Sequence, residues 1–242
     1  MKHLAARFWP GPLTLVLPRH PDVPDLVTAG LDTVGVRVPD HPAARALIRE
    51  AETPVAAPSA NPFSYLSPTT AAHVADQLGD RVDLILDGGP CRVGVESTIL
   101  SLAVDPPVIL RPGAVLCEEL EPILGGTLGV ASPSERPTSP GQLVRHYATR
   151  TPLRLLTRAD EGPPAEAGRV GLLAFRMPVR SSGYAAMEVL APDGSLATAA
   201  ATLFAALRRL DGLGLDLLVA EPFPEEGLGR AIMDRLRRCS AR

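Results

Sequence analysis

Short apolar runs and amphipathic stretches alternate along the whole chain. Residues 1–12 read as the end of a helix, broken by Phe8-Trp-Pro-Gly-Pro12. Apolar runs then predict strands at 13–17 and 33–39. In the second, Val34, Val36 and Val38 share one face, while Thr33, Gly35 and Arg37 share the other. Helix signals follow at 42–50, with Asp40 or His41 as cap and Pro42 in the first turn. A strand at 54–57 leads into a loop rich in hydroxyls and proline. A helix at 71–78, capped by Thr69 or Thr70, comes next. Strands at 82–86, 95–101 and 107–113 and a helix at 117–124 complete the first half. The second half predicts strands at 153–157, 170–175, 187–190 and 215–220, a helix at 194–210 capped by Ser195, and a final helix at 225–238 with acids in its first turn. Repeated strand–helix steps predict an α/β fold with helices on the faces of a sheet.

Composition changes this picture in one place. Gly, Ser, Thr and Pro dominate residues 125–140, which predicts a linker. The expected organisation is a domain at 1–124, a linker at 125–151 reaching over a site, and a smaller domain at 152–242. At 45% hydrophobic and 21% charged, the chain can bury a core. The net charge of -3 argues against a generally basic nucleic-acid surface. Cys91, Cys117 and Cys239 form no CxxC pair, so neither a zinc site nor a disulfide framework is suggested, and a cytoplasmic setting fits. No apolar run is long enough to span a membrane. Lys2 is the only lysine, which excludes chemistry that needs a lysine away from the N-terminus.

Candidate chemistry concentrates at strand ends. The loop after residue 57 carries Ser59, Asn61, Ser64, Ser67, Thr69 and Thr70. Small hydroxyls and an amide on a proline-stiffened turn suit a polar ligand, and ligands of open α/β sheets bind at the carboxyl ends of strands. A plain surface loop with a helix cap accounts for the same residues. Thr33 with Arg37, Ser97 with Thr98, and Arg111 repeat the theme elsewhere. Arginines and hydroxyls converging on one crevice would bind phosphate and carboxylate groups, hence a nucleotide and a small acid. No Walker loop, GxGxxG or HExxH is present, and no residue is singled out as a metal ligand.

Several segments, spread along the chain in a fixed order, resemble the threonylcarbamoyl-AMP synthases, the YrdC-like proteins, in their long two-domain form. They are Phe8-Trp-Pro-Gly-Pro-Leu-Thr14, Val34-Gly-Val-Arg-Val-Pro39, Ala57-Pro-Ser-Ala-Asn61, Ser67-Pro-Thr69, Asp87-Gly-Gly89 with Glu96-Ser-Thr98, and Leu110-Arg-Pro-Gly113. Ser139-Pro-Gly141 with Arg145-His-Tyr147 is similar to that family's linker signature, and residues 227–235 to its C-terminal ending. The resemblance implies a YrdC-like twisted open sheet with helices, plus a smaller Rossmann-like α/β domain. It implies synthesis of L-threonylcarbamoyladenylate from L-threonine, bicarbonate and ATP, with release of pyrophosphate, for the t6A modification of tRNA. Mg2+ would accompany the ATP.

Carried over by motif, Ser59, Asn61 and Arg111 are the expected catalytic residues. Thr33, Ser59, Ser67, Arg111 and Tyr147 are expected at ATP, and Arg37, Ala57 and Ser97 at threonine. The resemblance also implies downstream tRNA threonylcarbamoyl transferase proteins as partners and a weak contact with tRNA or double-stranded RNA. Two departures stand out. Family members carry an upstream Lys-x-Arg element, so the chain is expected to be N-terminally truncated in its first domain. In the linker, Gln142-Leu-Val144 replaces a more basic stretch, and Thr149 stands where proline is usual. Rival readings are an inactive short form, a non-catalytic binder of nucleotide or RNA, and carbamoyl transfer to a protein. The last would call for zinc-finger cysteines that the chain lacks.

Overall fold

The computed structural model describes residues 1–132, 138–178 and 181–241. Its contacts divide the chain into two units. One combines residues 1–58 with 96–143, and the other combines 59–95 with 144–242. This differs from the expected division at 124 and 152. The reason lies in residues 59–95, which pack with the C-terminal half. Gly94 has no room for a side chain, because a Cβ there would lie 2.2 Å from the Ala200 carbonyl oxygen. The Arg208 guanidinium donates to Gln77 Oε1 at 2.9 Å and to the Leu66 carbonyl. The expected linker at 125–151 falls partly on residues outside the described ones.

The first unit opens with α1 (Lys2–Phe8), β1 (Leu13–Pro18), the short α2 (Asp25–Thr28), β2 (Thr33–Val36) and α3 (Pro42–Glu50). After the interruption it resumes with β3 (Thr98–Ser101), β4 (Val108–Arg111), α5 (Cys117–Leu124) and β5 (Gly129–Val130), α4 lying in the second unit. Its sheet runs β2-β1-β3-β4-β5. β1 pairs antiparallel with β2 and parallel with β3, β3 antiparallel with β4, and β4 parallel with β5. Alternation along β1 sends Leu13 and Leu15 into a core with Leu4, Leu100, Ile109 and Leu120, which α1 and α5 cover. Val16 lies in a smaller apolar cluster with Ile99 and Leu110. β2 stops at Val36, short of the expected 39, because Gly11 N–H bonds to Val38 O at 2.8 Å and both Pro12 and Pro39 lack a donor. As an edge strand it leaves Val36 and Val38 exposed, so the expected apolar face is not buried.

The second unit holds α4 (Ala71–Leu78), β6 (Leu153–Leu155), β7 (Val170–Ala174), β8 (Ala186–Val189), α6 (Leu196–Asp211), β9 (Leu217–Ala220) and α7 (Leu228–Ser240). Its strands are all parallel, in the order β6-β9-β7-β8. β7 is buried at every position, as a central parallel strand requires. Leu173 faces a core with Leu203, Phe204, Leu207, Ile232 and Leu236 of α6 and α7, while Leu172 and Val170 face the opposite cluster. Ser195 caps α6 by accepting Thr198 N–H at 3.2 Å. α7 starts at Leu228, so Glu225 and Glu226 precede it, and the expected acidic first turn is absent.

Two expected strands did not form. Residues 54–57 and 82–86 have no ladder partner among the described residues, and Leu84 is 74% exposed. An apolar run becomes a strand only when a neighbour supplies hydrogen bonds along its length.

Candidate functional site

The first unit gathers Thr14, Ser97 and Arg111. Thr14 lies on β1, Ser97 just before β3 and Arg111 at the end of β4. Parallel pairing of Leu13 with Thr98 sets the two hydroxyls side by side, and Thr14 Oγ1 lies 2.8 Å from Ser97 Oγ. Arg111 is buried and reaches across the β3–β4 pair. Its Nε and Nη2 donate to Ser97 O at 3.2 and 3.0 Å, and Nη2 also donates to Ser97 Oγ at 3.2 Å. Nη1 reaches Pro140 O at 3.5 Å. Gly113 allows this closeness: a Cβ there would lie 2.4 Å from Glu96 O and 2.5 Å from Thr98 N. Thr98 turns the other way, exchanging hydrogen bonds with the Val115 backbone.

Arg37 follows β2, and its Nε donates to Gly11 O at 3.0 Å, in the segment that leads into β1. The residue as a whole is exposed, yet its guanidinium is tucked against that carbonyl. Partial burial lowers its pKa, and the nearby Asp40 opposes this. Thr33 begins β2 opposite Pro18. Ala57 is exposed in the irregular stretch after α3. Gln142, which the sequence reading treated only as a departure from the linker pattern, is buried and closes a tight turn: its Oε1 accepts from Thr138 N at 2.7 Å and Ser139 N at 3.0 Å.

The second unit holds Ser59, Asn61, Ser67 and Tyr147. Ser59 is exposed and Ser67 is buried. Asn61 donates through Nδ2 to Pro62 O at 2.9 Å and Tyr65 O at 3.1 Å, pinning its own loop. Its Oδ1 is buried with no hydrogen-bond partner among the described residues. Tyr147 is only 1% exposed and packs in the core of this unit.

Sequence reading missed His73. Thr70 caps α4 by accepting His73 N–H at 3.2 Å, as expected. The His73 ring then turns back, and Nδ1 accepts Thr69 N–H at 3.2 Å. That bond requires an unprotonated Nδ1. Partial burial lowers the His73 pKa, Arg208 and Arg209 lower it further, and Asp76 opposes them. Its folded pKa is therefore below the unfolded value of about 6.5. The stability it contributes is present above about pH 6.5 and is lost as pH falls through the folded pKa. The second unit is expected to melt at lower temperature as pH falls from 7.5 to 5.5, and His73→Gln should flatten that slope. Melting curves at stepped pH check this; an unchanged slope in the variant contradicts the assignment. Thr14 was also missed as a site residue; the signal was its place at the end of the Phe8–Thr14 segment, one hydroxyl on an otherwise apolar strand.

Among the described residues no three His, Cys, Asp or Glu side chains gather as a metal site. Among them, too, no helix is long and apolar enough to cross a membrane. The chain is thus an α/β protein, and its mixed sheet gathers a buried guanidinium, Arg111, and two hydroxyls, Thr14 and Ser97. Residues 1–113 match the family model described as Telomere recombination (Sua5, YciO, YrdC), and residues 115–241 match the model described as Threonylcarbamoyl-AMP synthase, C-terminal domain. The threonylcarbamoyl-AMP synthase of Bacillus subtilis is 44% identical over 99% of this chain and 72% of that protein. The Pyrococcus abyssi protein of the same name is 41% identical over 98% of this chain and 72% of that protein. The crystal structure of P. abyssi Sua5 complexed with L-threonine superposes with a TM-score of 0.88 at 39% identity, covering 99% of this chain and 73% of that one. The chain belongs to the threonylcarbamoyl-AMP synthase family. The chain spans about 72% of the length of these two curated relatives.

Proposed function

We propose that this protein is an L-threonylcarbamoyladenylate synthase, a nucleotidyltransferase acting on L-threonine, bicarbonate and ATP. The observation that carries the reading is the match of nearly the whole chain to relatives of that name at 37–44% identity. The cluster of Arg111, Ser97 and Thr14 is in keeping with the reading, because guanidinium and hydroxyl groups are the donors that carboxylates and phosphates take.

The chemistry follows in two steps. The amine of threonine takes up the carbon of bicarbonate, losing water, to give a carbamate. A carbamate oxygen then bonds to the α-phosphorus of ATP as the bond from that phosphorus to the bridging oxygen breaks, and pyrophosphate leaves. Negative charge spreads over the phosphoryl oxygens, so the protein's work is to position and to screen charge. Arg37 is read as the partner of the threonine carboxylate, with Ser97 and Ala57 beside the amino acid. Arg111, Thr33, Ser59 and Ser67 are read as ATP contacts, with Asn61 shaping the loop that presents Ser59. Tyr147, buried here, is read as supporting that loop as well as facing the nucleotide. Mg2+ is read as entering with the ATP, as part of the substrate, where it would screen the charge of the triphosphate.

The product is a mixed anhydride that consumes itself in water, so a downstream tRNA threonylcarbamoyl transferase is the partner to expect, in the cytoplasm. A net charge of -3 is consistent with at most weak contact with RNA. The test is pyrophosphate release and adenylate formation by the purified chain with threonine, bicarbonate and MgATP. Product that depends on all three substrates is the expected result. ATP binding without threonine-dependent pyrophosphate release would favour the non-catalytic binder.

A further inference from the structure

We propose that Arg235, on the last helix, is a positioning residue that holds the loop 59–67 in place through Tyr147; this rests on the reading of that loop as an ATP contact. The first observation is backbone strain. Tyr147 has φ of +61°, a left-handed conformation that a bulky residue does not choose for itself. Such outliers persist only where the surroundings over-determine them.

The surroundings are specific. The Arg235 side chain is 0% exposed, and its Cζ sits 5.3 Å from the centre of the Tyr147 ring. One carboxylate is shared next door: Arg235 Nη1 donates to Asp234 Oδ2 at 2.7 Å, and Asp234 Oδ1 accepts from Arg238 Nε at 2.9 Å. Phe204 lies 5.5 Å from the Tyr147 ring, and the His146 ring meets its edge at 4.1 Å. The backbone is tied at both sides of the tyrosine. His146 N–H bonds to Arg238 O at 3.3 Å, and Ala148 N–H bonds to Ser64 O at 2.7 Å. Tyr65 and Ala148 form a parallel bridge. Asn61 in turn bonds the carbonyls of Pro62 and Tyr65.

Contacts therefore run without a gap from α7, through 146–148, to 64–65 and Asn61. A desolvated guanidinium over an aromatic face is a strong version of this contact. Without it, Tyr147 relaxes towards an ordinary φ, Ala148 N–H leaves Ser64 O, and the loop loses its anchor. α7 thereby gains a role in substrate binding although none of its residues is read as a substrate contact.

The experiment compares the wild type with Arg235→Met, Arg235→Gln and Arg235→Lys. Two readouts are used: hydrogen exchange at Ala148 and at 59–67, and steady-state kinetics of adenylate formation. For Arg235→Met we expect lost protection at those amides and a rise in KM for ATP of about ten-fold, the scale of a desolvated cation–π contact. KM for threonine and kcat should stay within about two-fold, and Arg235→Lys, which keeps a cation over the ring, should recover most of the loss. If Arg235→Met fails to fold, the Lys and Gln variants carry the same comparison. Unchanged exchange at Ala148 and 59–67 in a folded variant overturns the proposal. So does a fall in kcat with both KM values unchanged, since that reports only fewer folded molecules. A wild type that forms no adenylate sinks the functional reading instead, while the exchange data still decide whether Arg235 holds the loop.

Discussion

Replacing Arg111 by methionine is expected to cut adenylate formation at least about 100-fold, the usual loss when one preorganised donor to a developing anion is removed. Methionine keeps much of the buried volume, so the change isolates the guanidinium. Arg111 makes two donations to Ser97 O and one to Ser97 Oγ, and Ser97 is the link to Thr14. Its loss strips the buried Ser97 carbonyl of those donors, which costs on the order of 1–3 kcal/mol of stability. Arg111→Lys should recover the charge but little of the rate, because an ammonium cannot present the planar fork that spans Ser97 O and Oγ together. Kinetics of pyrophosphate release, alongside melting curves, separate the two effects. Activity within ten-fold of wild type in a folded Arg111→Met protein would remove Arg111 from the site.

The second large effect concerns stability. Phe204→Ala should destabilise the second unit by about 3–5 kcal/mol, the range for deleting a fully buried aromatic ring. Phe204 is wholly buried on α6, in the core beneath Tyr147. A typical domain is held by only about 5–15 kcal/mol, so this loss should show as a large drop in the urea midpoint. Phe63→Ala is the control: that ring is 78% exposed, and its loss should stay within about 0.5 kcal/mol. Equal shifts in the two variants would mean that the apolar core is not where the structure places it.

The helices at 42–50, 71–78 and 117–124 formed with the bounds that sequence reading assigns them. Their signals are local: Pro42 in a first turn, Thr70 as a cap, Gly79 and Gly125 beyond the last turn. Ser195 likewise caps α6 as its position predicts. The strands were less legible, because half of every strand is its neighbour. Residues 13–17 became β1 beside β2 and β3, while 54–57 and 82–86, apolar enough on paper, found no partner among the described residues.

The site divides along the same line. That Arg37, Ser97 and Arg111 are donors at strand ends, and that Ser59, Asn61 and Ser67 share one loop, follows from their order in the chain. Which of them meet does not. Thr14 and Ser97 are 83 residues apart and touch only because β1 and β3 run parallel in one register. Tyr147 reads from sequence as an aromatic on a linker; only the packed second unit shows it clamped between α6 and α7 in a left-handed turn. Sequence by itself determined what local hydrogen bonding and chain stiffness decide: the helices, their caps and the chemical types at strand ends. Tertiary structure alone decided strand pairing, burial and the convergence of side chains, because each depends on a partner far away in the chain.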